Sequence, residues 1–157
     1  VKEKRKMTIV LQEINGKETE YTSPEHQALS QFYKAFNTQD IKLMQENWSL
    51  ENGIMDNPLG GILRGWENIS EVYKKIFFGG AEVYVEFYDY TIQVKGDMFF
   101  AAGRERGYII KNTKKIELDI RTSRIFMKEQ GVYKQAHHHG SITNPQLLDT
   151  YQKLIMS

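Results

Sequence analysis

The sequence has no cysteine, only three prolines and two tryptophans among its 157 residues. Without cysteine it can have no thiol nucleophile, iron–sulfur cluster, disulfide framework or zinc finger. The same lack fits a reducing compartment, and the expected location is cytoplasmic. An excess of either charge is also missing: 21 basic and 20 acidic side chains leave a formal net charge of +1. A general nucleic-acid binder draws its affinity from lysines and arginines clustered on phosphates, so no nucleic-acid partner is expected. No apolar run approaches the roughly 20 residues of a membrane-spanning helix, and no membrane partner is expected either. Gly60-Gly61 and Gly79-Gly80 follow neither the Walker nor the Rossmann spacing, and there is no Gly-x-Ser-x-Gly elbow.

What is present suffices for one domain. The chain is 40% hydrophobic and 26% charged, and at this size roughly 68–70% of the unfolded surface is buried without help from a disulfide or metal. Residues 1–6 are basic and solvated. Met7 to Ile14 alternates weakly as a short strand before the turn dipeptide Asn15-Gly16. Ser23-Pro24 is an N-cap followed by proline in the first turn, and Leu29, Phe32, Tyr33 and Phe36 give the helix one apolar face. Asp40 caps a shorter helix carrying Ile41, Met44 and Trp48. A brief strand, Ile54-Met55-Asp56, is stopped by Asn57-Pro58, and a third helix after Gly65 carries Ile69, Val72, Tyr73, Ile76 and Phe77. From Ala81 the period becomes two. Segments 81–94, 98–111, 115–128 and 132–142 are separated by breaks short enough for hairpins, which predicts an antiparallel meander. Asn144-Pro145 opens a last helix.

Helices followed by a long meander predict an α+β fold: a cone-shaped, curved, mostly antiparallel sheet of about six strands around three N-terminal helices, plus a C-terminal helix. The expected boundaries are 1–22 for an N-terminal extension, 23–143 for the cone and 144–157 for the final helix. A cone with a mouth is also a pocket.

The stretches QFYKAFNTQD, MDNPLGGILRGWENISEVYKKIF and IRTSRIFMKEQGVYKQAHHHGS, in that order, resemble the nuclear-transport-factor-two-like superfamily in its SnoaL-like and ketosteroid-isomerase-like branch. The ketosteroid isomerase mechanism requires an Asp base and an oxyanion hole built from a Tyr and a protonated Asp. The resemblance places Asn57 at the base, Phe32 at the Tyr and Ser123 near the second Asp, so steroid isomerisation by that machinery is not expected. Ser123-Arg124-Ile125-Phe126, Gly131-Val132-Tyr133 and His137-His138-His139-Gly140-Ser141 resemble the association domain of calcium/calmodulin-dependent protein kinase. That likeness implies a pocket lined by arginines and assembly from dimers, with Arg124 matching one pocket arginine by motif and Arg104 another by spacing.

Strand alternation puts Arg104 and Arg106 on one face with Phe100, Ala102 and Tyr108, and Arg124 on one face with Leu118, Ile120 and Phe126. An unpaired guanidinium on an apolar face costs several kcal/mol. The functional reading is a pocket for an anion. The structural alternative is an ion pair with Asp56, Glu105 or Asp119, of which Asp56 is the expected internal counter-charge. The expected pocket comprises Asn57, Tyr73, Arg104, Arg106, Arg124, His137 and His139. His137 and His139 share one strand face, and no metal or other cofactor is expected. Three functions stand open: a homodimer binding a small anionic organic ligand in the cone, joined through an outer face carrying Tyr84, Tyr88, Tyr90 and Ile92; an isomerase, cyclase or hydrolase with Asp56 or His139 as acid–base; and an association module whose pocket is filled by its own side chains.

Overall fold

The computed structural model describes residues 12–157. Helices α1 (Pro24–Asn37) and α2 (Ile41–Asn47) come first, followed by two short strands, β1 (Ile54–Asp56) and β2 (Leu63–Arg64), and then helix α3 (Trp66–Phe78). The long strands β3 (Glu82–Lys95), β4 (Met98–Lys111), β5 (Lys114–Glu129) and β6 (Val132–Ser141) follow, then α4 (Pro145–Met156). Local chemistry sets the helix starts. The Ser23 side chain accepts from the His26 amide, that of Asp40 from Leu43, and that of Asn144 from Gln146 and Leu147, which satisfies first-turn donors that otherwise lack partners.

The six strands form one sheet in the order β2-β1-β6-β5-β4-β3. All neighbours are antiparallel except β1 and β6, which run parallel. The expected strand over Met7 to Ile14 falls largely outside the described residues; Ile14 makes a single antiparallel bridge to Phe87. The sixth strand is instead β2, whose two residues carry too little alternation to be read from sequence.

The concave face of the sheet closes over the helices. Leu29, Phe32 and Tyr33 of α1 and Ile69, Tyr73 and Ile76 of α3 meet Val83, Val85, Phe87, Ile109, Leu118 and Ile120 in one core. Phe99 and Phe126 stack at 4.8 Å with Tyr133 edge-on, which fills one end of the cone. A bulge bends β3: Tyr88 pairs with Arg104 and Thr91 with Ala102, leaving Asp89 and Tyr90 opposite Gly103. It turns Tyr90 inward, where it stacks on Phe87 at 4.9 Å and donates to the Gln12 carbonyl. Tyr90 is therefore buried and does not belong to the outer aromatic face on which the sequence places it.

Candidate functional site

Hairpin register decides which charged groups enter the cone. The β4–β5 turn has two residues, Asn112 and Thr113, both at positive φ, so Lys111 lies opposite Lys114. Odd residues of β4 then face the same side as even residues of β5. Glu105 and Arg124 point inward, while Arg104 and Arg106 point outward. On the outside Arg104 pairs with Asp89, and Arg106 with Glu86 and Glu13. Neither belongs to the pocket expected for it.

Register is broken again between β5 and β6. Phe126 pairs with Gln135 but Ile125 with His137, so Ala136 is an extra residue on β6. Beyond it the faces exchange. His138 enters the cone opposite Arg124, and His137 and His139 go to the convex side. There they flank Asp56, delivered by the parallel β1: His139 Nδ1 lies 2.5 Å from one carboxylate oxygen and His137 Nε2 3.4 Å from the other. Asp56 and His139 are thus not acid–base groups of the cone, and Asp56 is not the counter-charge of Arg124.

That counter-charge is Glu105. Arg124 Nη2 donates to Glu105 Oε1 at 2.9 Å, and Tyr33 donates to the same oxygen at 2.7 Å. Arg124 Nη1 donates to Gln135 at 2.7 Å; Gln135 donates to Asn47, and Asn47 to Gln31 and the Ala28 carbonyl. The guanidinium lies 3.6 Å from the centre of the Phe32 ring, so Phe32 supplies it with a π face. Burial works against the charge on Arg124, yet the oxygens of Tyr33 and Glu105 outweigh it and raise the pKa above its ordinary value. Burial likewise raises the Tyr33 and Tyr73 hydroxyls, which remain protonated donors.

Beside this network is a cavity of about 50 Å³. Asn57, Tyr73 and Arg124, all expected at the site, line it together with Glu105, His138 and Tyr151 of α4. Phe36, Val72, Ile76, Val85, Ile109, Leu118 and Ile120 make the rest of the wall apolar. The Tyr73 hydroxyl accepts from Trp48 Nε1 at 3.2 Å, and Asn57 Oδ1 accepts from the Leu59 amide. Three buried nitrogens of these lining residues have no partner: Arg124 Nε and both ring nitrogens of His138. Burial first, then the charge of Arg124 and the neighbouring histidines, pushes His138 well below its ordinary pKa, so the ring is neutral. The cone therefore offers one donor from Arg124, and one donor and one acceptor from an imidazole. Among the described residues, no group of three or more acidic or histidine side chains is arranged to hold a metal ion.

The sequence named Glu105 as one of three possible counter-charges but favoured Asp56, and it did not single out His138. A two-residue turn at Asn112-Thr113 was sufficient signal for Glu105, because it fixes the pairing of β4 with β5. Nothing in the sequence marks Ala136 as a bulge, so nothing could single out His138.

Residues 26–145 match the family model described as the SnoaL-like domain. No curated protein sequence matches the chain. Among solved structures, an uncharacterised cystatin-like-fold protein from Caulobacter vibrioides has 17% identity and a TM-score of 0.64, over 81% of this chain and 92% of that one. A nuclear transport factor 2-like superfamily protein from Salmonella enterica serovar Typhimurium has 17% identity and a TM-score of 0.66, over 76% and 90%. A protein from Thiobacillus denitrificans, provisionally described as a calcium/calmodulin-dependent protein kinase type II association domain, has 17% identity and a TM-score of 0.62, over 81% and 100%. At these identities the likeness is one of fold.

Proposed function

The chain belongs to the SnoaL-like domain family, and from that premise we propose that it binds a small organic carboxylate, with the carboxylate end held in the cone by Arg124 and His138. One observation carries this reading: three buried nitrogens of two residues that line the cavity have no partner. A buried donor left unpaired costs about 1–3 kcal/mol, and native structures satisfy the large majority of such groups. A carboxylate has two oxygens for the two N–H donors, and the apolar remainder of the wall suits an aliphatic or aromatic body. The charge of Arg124 is already balanced by Glu105, so hydrogen-bond geometry and not net charge selects the ligand.

Size constrains the reading. A cavity of about 50 Å³ holds a ligand's polar end or a few waters, whereas whole-ligand pockets run to roughly 300–1,000 Å³. The body of the ligand must displace part of the lining, to which α4 contributes Tyr151.

The test is a thermal-shift and calorimetric comparison of benzoate, phenylacetate and their primary amides. A binding carboxylate at ~100 times its dissociation constant should stabilise the wild type by about 2.7 kcal/mol. His138→Phe keeps an aromatic ring, somewhat larger, but removes the imidazole nitrogens, and it should weaken binding about tenfold, equivalent to ~1.4 kcal/mol, without loss of fold. If none of the carboxylates shifts the wild-type transition, or His138→Phe binds as tightly as wild type, the reading is wrong.

A further inference from the structure

The convex face carries a second constellation, independent of the cone. Pairing places Ser123 of β5, His139 of β6 and Asp56 of β1 in one row across three strands. In the next row Arg104 of β4 faces Arg121 of β5, and Arg121 faces Ser141 of β6. An open groove is lined by Asp89, Arg104, Arg121, Ser123, His139 and Ser141. We propose that this groove is a binding site for a phosphate monoester.

Like charges directly across neighbouring strands repel, yet two guanidiniums occupy that position here. Asp89 answers only one of them. It lies 3.3 Å from Arg104, with both side chains about half exposed or more, at 48% and 72%, and such a pair contributes at most about 1 kcal/mol. Arg121 makes no ion pair among the described residues, although Asp119 precedes it on the same face. Of the two guanidiniums in the groove, Arg121 is therefore left without a carboxylate partner among the described residues.

The geometry also selects the type of anion. His139 is anchored through Nδ1 to Asp56, which orients the ring and leaves Nε2 for a ligand. Two planar guanidinium forks, two serine hydroxyls and one imidazole nitrogen supply more donors than a carboxylate can use. They match the three terminal oxygens of a phosphoryl group. On the far side of the Ser123–His139 row lies an apolar strip, Phe100 and Ile125 with Ile54 beyond His137. Phe100 and Ile54 are 39% and 37% exposed. That strip would take the organic part of the ester, so a monoester fits better than free phosphate.

The experiment is done in the His138→Phe background, which weakens the cone site about tenfold, and the groove is probed by variants of its own residues, so that failure of one reading leaves the other standing. Phenyl phosphate, inorganic phosphate and benzoate are titrated calorimetrically, with the histidine ring nitrogens followed by NMR. Phenyl phosphate should bind at least about tenfold more tightly than benzoate, a difference of ~1.4 kcal/mol. It should also bind severalfold more tightly than inorganic phosphate, and weaken steadily with added salt. Arg121→Gln and Arg104→Gln, both exposed and expected to fold normally, should each weaken it about tenfold. Ser123→Ala should have a smaller effect. The His139 Nε2 resonance should move on titration. Equal binding of benzoate and phenyl phosphate, wild-type affinity in Arg121→Gln, or a His139 resonance that stays fixed would each overturn the proposal. A thermal transition unchanged by Arg121→Gln confirms that any lost affinity belongs to the groove.

Discussion

At the residue scale, the cone is governed by two buried groups, Arg124 and His138, whose charge states differ because their partners differ. Arg124 is almost wholly buried and remains charged because Glu105 and Tyr33 are bonded to it or to its partner. His138 is buried without such help and remains neutral. This difference has a consequence for acid stability. In the unfolded chain a histidine titrates near about 6.5. Above that pH neither state of His138 carries the extra proton. Below it the unfolded chain takes one up and the folded chain does not, so the unfolded state gains. Stability should therefore fall as the pH drops below about 6.5, by up to ~1.4 kcal/mol per pH unit, until the depressed folded pKa is reached. Urea midpoints for wild type and His138→Phe, compared between about pH 7.5 and 5, should diverge, with the variant losing less. Parallel curves would mean that His138 accepts a proton inside the fold. Glu105→Gln tests the pair: the guanidinium would lose its buried counter-charge, and a loss of about 3–5 kcal/mol is expected in the same urea experiment.

At the element scale, the two bulges matter more than the strands they interrupt. The β3 bulge holds Asp89 at a φ of 47° and turns Tyr90 inward. Gly103 makes that possible: a Cβ there would lie 2.6 Å from Tyr90 Cβ and 2.8 Å from its Cα, closer than any such contact can be. Gly103→Ala should therefore cost about 1–3 kcal/mol, the range for forcing extra volume into a packed site. An unchanged urea midpoint would show that the bulge can shift aside. The β6 bulge at Ala136 has the larger functional weight, because it sends His138 into the cone and His137 and His139 out to Asp56. Helix ends, by contrast, follow from single residues. Ser23, Asp40 and Asn144 act as N-caps where the sequence places them, since a cap needs only its own next turn.

At the scale of the whole molecule, the cone is closed by its last element. Tyr151 of α4 lines the cavity, and Gln152 donates to the Pro58 carbonyl at 3.0 Å. Lys111, itself buried at the end of β4, donates to the carbonyls of Leu154 and Ser157, satisfying last-turn acceptors and placing a cation at the negative end of the helix. Among the described residues, no helix is long and apolar enough to cross a membrane, and α4 is amphipathic, its buried side chains Tyr151, Leu154 and Ile155 facing the core. Tyr151→Ala should destabilise the fold by about 3–5 kcal/mol, as large-to-small changes of buried aromatics do. It should also enlarge the cavity enough for phenol to bind and restore part of the lost stability. Calorimetry with phenol on wild type and variant would decide this. If phenol stabilises both equally, Tyr151 is not what limits the cavity.

Period and turn chemistry are local properties, so sequence alone determined the helices at 24–37 and 66–78, the four-strand meander and the α+β class. It also determined that Arg124 and Tyr73 stand on inward faces, because each sits among apolar residues at the period of its element. Sequence even contained the two-residue turn that pairs Glu105 with Arg124, and the error of placing Arg104 beside Arg124 came from treating strand faces without pairing them. What only the tertiary structure decided lies where chains meet at a distance. The parallel approach of β1 to β6 carries Asp56 to two histidines 81 and 83 residues away in sequence. The insertion of Ala136 into the β5–β6 ladder exchanges one histidine for its neighbours in the cone. A strand presents the same alternation whichever face is inside, and a single extra residue reverses it. The physical choice is made by which pairing buries the most apolar surface, and no window of sequence contains both partners.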